Sequence, residues 1–256
     1  MVERGLAQSR ERAKALVMAG NVLVNGQPAL KAGIDVNEDV LITLRGDDIP
    51  FVSRGGLKLA HALEVFSIDT AGKIAMDVGA STGGFTDCLL KGGAMRVYAV
   101  DVGYGQLAWA LRTDPRVVPV ERTNIRILPK EAVPEEVDII TIDVSFISLK
   151  IVIPAALKFL KRAGGQKAET TPPPEDKNVP CLLCLVKPQF EVGKGEVGKG
   201  GIVRDEERRL RVLEDMKSFV ASLGLKVAGT CESPIKGQKG NVEYFIHVEV
   251  PDTKLV

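Results

Sequence analysis

Apolar and polar stretches alternate along most of the chain, and their spacing changes with position. Beyond residue 72, short apolar runs rich in β-branched residues recur, and amphipathic stretches separate most of them. This alternation of strands with helices favours a parallel sheet that is covered by helices on both faces. The predicted strands lie in KIAMDVGA, RVYAVDVG, VVPVERTN, DIITIDVS and PCLLCLVKP, and the predicted helices lie near 84–92, 105–112, 148–162 and 204–223.

Two further patterns complete this part of the chain. A helix is predicted over LKLAHALEVFSI, because its apolar residues recur at helical spacing ahead of the first strand. The last two apolar runs, LKVAGTCES and VEYFIHVEV, are separated by only a short turn region. We therefore expect the sheet to finish with an antiparallel strand.

The beginning of the chain has a different pattern. Ser9 is placed as the N-cap of a helix over SRERAKALVMAG, which Gly20 would end. Asn25 and Gly26 lie between apolar residues, which is the strongest short-range signal for a β-hairpin. The run DVLITL predicts one more strand, so this part forms a small α+β unit.

These patterns predict the domain organisation. We expect a small domain at 1–48, a linker at 49–58 and a larger α/β domain at 59–256. Within the larger domain, residues 163–179 are rich in Pro, Thr, Glu and Lys, which is typical of a surface insertion.

Composition narrows the function classes. The chain has 256 residues, 45% of them hydrophobic, which is enough for one sizeable domain and a small appendage. The net charge of +1 neither favours nor excludes nucleic acid. No apolar run approaches the roughly 18 residues that span a bilayer, and the polar N-terminus lacks the apolar core of a signal peptide. We therefore expect a cytoplasmic protein.

The four cysteines lie in or beside apolar segments, which predicts reduced, buried thiols. Cys181 and Cys184 form a C-x-x-C motif, so a metal or redox site is an alternative. In a strand, however, residues three apart point to opposite faces and cannot grip one ion. The pattern favours core thiols and no metal.

The segment DVGASTGGFTD predicts a cofactor-binding loop at the end of the first strand of the sheet. Its glycines allow a ligand to approach the backbone, and Asp101 lies at the end of the next strand, where an acidic residue binds ribose hydroxyls. The loop matches neither G-x-G-x-x-G nor a phosphate-binding P-loop. Acidic Asp77 and Asp87 flank it and would repel phosphates, so S-adenosylmethionine is favoured. A glycine turn without a ligand is the alternative.

Four further motifs carry charged residues, and we expect three of the four to converge on one edge of the sheet. Asp143 and Lys187 end strands, Glu243 lies in GNVEYFIHV, and Arg54 and Lys58 precede the first helix of the domain. Each has an ordinary structural interpretation. Asp143 would be a helix N-cap, and Lys187 would be a surface lysine. Glu243 would be a charge on an edge strand, and the remaining two residues would belong to a basic linker. For the helix cap, Ser145 and Ser148 compete with the aspartate.

The motifs VSRGGLKL, DVGASTGGFTD, AVDVGYGQLAW, RTN, DVSFISL, LVKPQFEVGKG and GNVEYF occur in this order. Together they closely resemble the TlyA family of ribosomal RNA methyltransferases, also called hemolysin A. The resemblance covers residues 1–250. It implies an S-four-type RNA-binding domain followed by an FtsJ-like, Rossmann-like methyltransferase domain with a mostly parallel seven-stranded sheet and an antiparallel last strand. Family members usually carry more residues before VERGLAQSR, so we expect either a shortened RNA-binding domain or a mis-assigned start of the chain.

The resemblance also implies an activity, methylation of the ribose 2′-hydroxyl of cytidine in ribosomal RNA with S-adenosylmethionine. It assigns a catalytic tetrad to Lys58, Asp143, Lys187 and Glu243. The cofactor-binding set that it implies is Asp77, Gly79, Ala80, Ser81, Gly83, Gly84, Phe85, Asp101 and Asn124. We expect RNA to contact the basic residues Arg10, Arg12, Lys14 and Arg54.

Two other functions compete with this one. The family's older name implies a membrane-lytic protein, but the chain has no spanning segment and no strongly amphipathic, lysine-rich helix. An RNA-binding module without catalysis is the second alternative, and the intact tetrad argues against it.

Overall fold

A computed structural model describes residues 1–251, apart from residues 5, 8, 19, 30, 38, 45–48, 162–178, 194 and 238 and the side chains of residues 12 and 15. The chain divides into two compact units, Met1–Pro50 and Phe51–Val256. Most of the predicted insertion at 163–179 therefore lies outside the described residues.

The first unit joins one helix to a small antiparallel sheet. Its elements are α1 (Arg10–Met18), β1 (Val22–Val24), β2 (Gln27–Pro28) and β3 (Ile42–Leu44), with the strands in the order β2-β1-β3. Asn25 and Gly26 have φ angles of 49° and 78°, the left-handed pair that a tight two-residue hairpin turn requires. Leu16 of the helix and Val22 of the sheet are buried and contribute to a small apolar cluster.

The second unit contains the alternating elements that the sequence predicts. Its strands are β4 (Ile74–Val78), β5 (Arg96–Val100), β6 (Val117–Val120), β7 (Ile139–Ile142), β8 (Cys181–Val186), β9 (Lys226–Glu232) and β10 (Tyr244–Glu249). Its helices are α2 (Gly55–Val65), α3 (Gly84–Lys91), α4 (Trp109–Arg112), α5 (Leu149–Leu157), α6 (Pro188–Glu191) and α7 (Glu206–Ser222). A short 3₁₀ turn covers Lys130–Ala132.

The seven strands form one sheet in the order β6-β5-β4-β7-β8-β10-β9. The first five of these are parallel to one another, and β10 runs antiparallel to both β8 and β9. Because β10 is reversed, its amino end lies at the same edge of the sheet as the carboxyl ends of β4 to β8. We call this edge the carboxyl edge.

Two apolar clusters, one on each face of the sheet, hold the layers together. Side chains of α5 and α7 cover one face, and side chains of α2, α3 and α4 cover the other. Consecutive residues of the strands alternate between the clusters, so that Cys184 belongs to the first and Cys181 to the second. Burial raises the pKa of the Cys181 thiol to about 12 and raises that of Cys184 as well. The prediction that these two thiols face opposite ways in the core is confirmed.

Three predicted helices differ from the observed ones in length. The helix predicted over 105–112 is reduced to Trp109–Arg112, because Gly105 has a φ of 68° and its amide is bonded to Glu121 across the loop. The helix predicted over 148–162 ends at Leu157. The first helix of the unit begins at Gly55, so the carboxyl part of the predicted linker is helical.

Candidate active site

Four strand or helix ends bring the predicted tetrad to the carboxyl edge. Asp143 follows β7 and Lys187 follows β8, and these strands are neighbours in parallel register. Glu243 precedes β10, and the register Tyr244 opposite Val186 places it beside Lys187. Lys58 lies in the first turn of α2. The structure thus brings all four residues to one edge of the sheet.

The four side chains form two close ion pairs. Lys187 Nζ lies 2.5 Å from Asp143 Oδ1, and Lys58 Nζ lies 2.5 Å from Glu243 Oε2. Both lysine side chains are only 11% exposed, which shields the ammonium groups from water. Charges at this depth are tolerated because each has a partner.

Lys187 makes a second contact, since its ammonium group donates to Ser145 Oγ at 3.1 Å. Its contact with Asp143 is close but poorly aligned, and Asp143 Oδ1 has no donor with hydrogen-bond geometry among the described residues. An ammonium has three N–H donors. With one directed to Ser145 and one beside Asp143, a third is available to a ligand.

The surroundings of Glu243 explain why this carboxylate is almost fully buried. Gly237 passes so close that a Cβ there would lie 2.4 Å from Glu243 Oε1. Arg54 donates from its guanidinium group to the carbonyl oxygen of Lys236 at 2.8 Å, which joins the start of α2 to the same loop. Arg54, predicted to contact RNA, therefore also has an intramolecular partner.

The predicted cofactor loop connects β4 to α3 beside the tetrad. Gly79 and Gly83 have φ angles of 89° and 95°. A Cβ on Gly79 would lie 2.3 Å from the carbonyl oxygen of Asp143, and one on Gly83 would lie 2.2 Å from Leu111. Both positions therefore require glycine for conformation and for space. Ser81, at the tip of the loop, is exposed, whereas Ala80 is buried.

Asp101 holds the tip of this loop. One carboxylate oxygen accepts from the amide of Ser81 at 2.8 Å, and the other accepts from the amide of Gly103 at 2.7 Å. Each oxygen retains a second lone pair that can accept a hydroxyl donor. A small cavity beside them is lined by Ala80, Ser81, Ala99, Asp101, Gly103, Gln106, Leu107 and Glu121.

Asp77 lies beneath the loop and is fully buried. One of its oxygens accepts from the amide and the hydroxyl of Thr86 at 2.9 and 2.7 Å, and the other accepts from the hydroxyl of Thr141 at 3.2 Å. Burial, opposed by the bond from Thr86 and reinforced by Asp143, raises the pKa of Asp77 to about 7. These contacts tie the start of α3 to the sheet.

Other predicted residues have packing partners of their own. Gly84 allows α3 to approach α2, because a Cβ there would lie 2.3 Å from Ser53 Oγ. The ring of Phe85 stacks on Phe245, with 6.0 Å between ring centroids. Asn124 accepts the amide of Arg126 through its side chain, in the loop after β6.

The residues predicted to bind RNA in the first unit lie on α1. Arg10 and Lys14 are exposed on this helix. The side chain of Arg12 lies outside the described part of the chain.

Three residues at the carboxyl edge were not predicted to belong to the site. The ring of Phe146 is 88% exposed, lies at a φ of 63° and packs on Phe190 with 4.9 Å between centroids. Ser145 contacts Lys187, and Glu191 binds the start of α5. The motif DVSFIS contains two of these residues, but no local pattern predicts a left-handed phenylalanine. The observed N-cap of α5 is Ser148, one of the two competing serines, and not Asp143.

Two other features, a metal site and a membrane-spanning helix, have no candidate within the described ranges. No group of three or more His, Cys, Asp or Glu residues there is arranged to hold a metal ion. None of the helices in these ranges is long and apolar enough to cross a membrane.

Comparison with known families decides the class of the chain. The family model for FtsJ-like methyltransferases matches residues 51–250, and the model for the S4 domain matches residues 1–42. The chain belongs to the FtsJ-like methyltransferase family.

Three relatives show which proteins the chain is similar to in sequence or structure. It is 47% identical over 247 residues to the "16S/23S rRNA (cytidine-2'-O)-methyltransferase TlyA" of Mycobacterium tuberculosis (strain ATCC 25618 / H37Rv), a match covering 96% of this chain and 86% of the relative. It is 41% identical to "Hemolysin A" of Brachyspira hyodysenteriae, with 95% of each chain covered. The solved structure named "Putative hemolysin from Streptococcus thermophilus" is 41% identical with a TM-score of 0.75, and the match covers 98% of this chain and 86% of that one. The predicted TlyA membership and fold class are confirmed.

Proposed function

We propose that the chain transfers a methyl group from S-adenosylmethionine to the ribose 2′-hydroxyl of cytidine in ribosomal RNA, in the cytoplasm where ribosomes are assembled. The observation that carries the proposal is Lys187, a shielded ammonium with a free donor beside the glycine loop. The relative from Mycobacterium tuberculosis, whose name states this reaction, supports the choice of substrate.

The residues around the glycine loop fit this cofactor. Gly79 and Gly83 allow the loop to pack closely against Asp143 and Leu111, and Asp101 has lone pairs for ribose hydroxyls. Carboxylates of Asp101 and Glu121 line the neighbouring cavity, which disfavours a phosphate-bearing nucleotide. When bound, S-adenosylmethionine supplies a methyl group on a positively charged sulfur.

Lys187 then acts on the attacking oxygen. A ribose hydroxyl is a weak acid, so negative charge develops on the oxygen as its proton passes to solvent. That charge falls again as the oxygen bonds to the methyl carbon, and the electrons of the broken carbon–sulfur bond would stay on the sulfur of the cofactor. We assign the third N–H of Lys187 as the donor to this oxygen, while Asp143 and Ser145 fix the ammonium. One preorganised donor of this kind contributes about 2.7–4 kcal/mol to stabilising a transition state.

Lys58 and Glu243 form the second side of the site. Their ion pair is nearly closed to water, and Glu243 lies beside Lys187 through the β8–β10 register. We propose that this pair holds the ribose so that its 2′-oxygen meets Lys187. Such positioning lowers the barrier by removing the need to align the reactants during the reaction.

The exposed ring of Phe146 favours an unpaired nucleotide as the substrate. A non-glycine residue at a φ of 63° carries a conformational cost, so its persistence at the edge of a site indicates a use. Aromatic rings stack on unpaired bases of RNA, whereas the bases of a duplex are not accessible. Phe146 is thus placed to hold the base of the target cytidine.

Replacing the proposed oxygen-binding lysine tests the assignment. We expect Lys187→Ala to lower methyl transfer to ribosomal RNA by at least about 10²–10³-fold, because one charge-stabilising donor is lost. The affinity for S-adenosylmethionine should stay within about threefold, since the glycine loop is unchanged. Transfer of labelled methyl groups and mass spectrometry of RNA fragments measure the rate and the modified nucleotide.

Lys199→Ala provides the matched control, because Lys199 is an exposed lysine in the following glycine-rich loop. It should retain wild-type turnover. Wild-type turnover by Lys187→Ala would refute the tetrad. Cofactor binding without any methyl transfer by the wild-type chain would instead favour an RNA-binding module without catalysis, and dye leakage from liposomes would favour a lytic protein.

A further inference from the structure

Two segments at the carboxyl edge run side by side and contact each other along their length. One is residues 143–149, which follow β7, and the other is residues 187–191, which follow β8. We call them the Asp143 segment and the Lys187 segment. Lys187 meets the first segment at Asp143, the ring of Phe190 packs on that of Phe146, and Glu191 reaches the start of α5.

Glu191 closes this series of contacts. One of its carboxylate oxygens accepts from the hydroxyl of Ser148 at 2.5 Å, and the other accepts from the amide of Leu149 at 2.8 Å. The same serine hydroxyl accepts from the amide of Lys150 at 3.1 Å. Both oxygens of Glu191 are thereby committed to the first turn of a nine-residue helix, where a negative charge is favourable.

The Asp143 segment is consequently fixed at both ends. At its beginning, the amide of Asp143 bonds to the carbonyl oxygen of Val78, which continues the sheet. At its end, Leu149 is held by Glu191. Between these anchors lies Phe146 with its positive φ, a conformation that an unanchored loop would relax.

The Lys187 segment is short and stiff. Pro188 follows the lysine directly and begins α6, which includes Glu191 as its last residue. Only four positions separate the lysine from the glutamate, and they lie in one helical turn. The short helix therefore couples the backbone at Glu191 to the backbone at Lys187.

We propose that Glu191 is a positioning residue for the reaction, which sets the distance between Lys187 and Asp143 by clamping the two segments together. The proposal rests on the proposed methyltransferase function. Its physical basis is the narrow tolerance of catalytic contacts, since a shift of about 1 Å at the reacting atoms costs about 10²-fold in rate. The carboxylate suits this role because its two oxygens accept the Ser148 hydroxyl and the Leu149 amide at once.

Glu191→Ala tests the proposal in the full-length chain. The methyl side chain can accept neither hydrogen bond, so both contacts with the start of α5 are lost. We expect kcat to fall about tenfold or more, with KM for the RNA and Kd for S-adenosylmethionine within about threefold. The rate is expressed per cofactor-binding site, and titration with S-adenosylmethionine gives the number of these sites. A smaller amount of folded protein then does not lower the measured kcat. Hydrogen exchange should accelerate in residues 143–149.

Glu196→Ala is the matched control. It makes the same chemical change five residues further on, where the carboxylate accepts the nearby amide of Gly193 and, among the described residues, no other donor. The control should leave kcat unchanged. An unchanged kcat in Glu191→Ala, or an equal loss in both variants, would overturn the proposal. A wild-type chain that methylates no ribosomal RNA would instead overturn the underlying function.

Ser148→Ala removes the same contact from the other segment and keeps the proposal testable should Glu191→Ala fold poorly. This change removes one donor to Glu191 and leaves the charge in place. We expect a smaller loss of kcat, and no additional loss when the two substitutions are combined, because both act through one contact. Losses that multiply in the double variant would contradict the clamp.

Discussion

Asp77 lies at 0% exposure beneath the cofactor loop, and its chemistry there differs from that of an ordinary aspartate. Burial penalises its ionised form and raises its pKa from 3.8 to about 7. The folded chain therefore binds a proton at this site that the unfolded chain has released. Between about pH 4 and pH 7, the free energy of unfolding should therefore fall as the pH rises. The stabilisation by the bound proton is complete below the pKa of the unfolded state and is lost as the pH rises through the pKa of the folded state.

Asp77→Asn should remove this dependence on pH, because an amide does not ionise. The asparagine keeps the shape and can accept from Thr86 while donating to the hydroxyl of Thr141. Relative to the wild type, we expect the variant to gain on the order of 1–4 kcal/mol in free energy of unfolding between pH 5 and pH 8. Urea unfolding followed by circular dichroism at the two pH values measures the difference. Parallel pH dependences for the two proteins would show that Asp77 does not titrate in this range.

At the residue scale, the sequence predicts some of the site and misses the rest for a physical reason. Lys187 and Asp143 are predictable because charged residues that end apolar strands must lie at one edge of a parallel sheet. The role of Glu191 is not predictable, because its partner Ser148 is 43 positions away and belongs to another segment. The left-handed backbone of Phe146 likewise depends on tertiary anchors that no local pattern contains.

Between elements, the pair of Lys58 and Glu243 joins the first turn of α2 to the start of β10. Removing one member leaves a buried charge without its partner, which costs about 3–5 kcal/mol. We therefore expect Glu243→Leu and Lys58→Met each to lower the free energy of unfolding by roughly this amount. The double variant should recover most of the loss, because no charge is then left buried.

Chemical unfolding of the wild type, the two single variants and the double variant provides the measurement as a double-mutant cycle. All three variants should be inactive in methyl transfer whatever their stability. If the two losses simply add in the double variant, the ion pair does not carry the coupling between α2 and β10.

At the element scale, strands were predicted better than helices. The apolar runs locate all seven strands of the sheet, because a buried strand is short and uniformly apolar. The helix over 105–112 was predicted too long, since the apolar spacing continues through a loop that Glu121 holds open. Helical periodicity alone does not distinguish a helix from an anchored loop.

In the whole molecule, the two units have separate cores, and the basic helix α1 belongs to the first. We expect the double variant Arg10→Ala and Lys14→Ala to bind ribosomal RNA more weakly, because two phosphate contacts are lost. The slope of the logarithm of affinity against the logarithm of salt concentration should fall by about 2. Turnover at saturating RNA should not change, and filter binding across a salt series measures the affinity.

The double variant Lys217→Ala and Lys226→Ala is the control for net charge. Lys217 pairs with Glu214 on α7, and Lys226 pairs with Glu249 at the edge of the sheet opposite to the site. An equal fall in affinity and in salt slope for both double variants would show that α1 contributes only through net charge.

The reversed direction of β10 has a consequence for when the protein becomes active during its synthesis. Lys58 and Glu243 are separated by 185 positions in the chain, and a ribosome adds roughly 5–20 residues per second. The lysine therefore leaves the ribosome roughly 10–40 seconds before its partner. Until then the nascent chain carries the glycine loop and three of the four tetrad residues. Catalytic competence is thus delayed until Glu243 has been synthesised, and chains terminated before it remain inert toward the RNA that surrounds them.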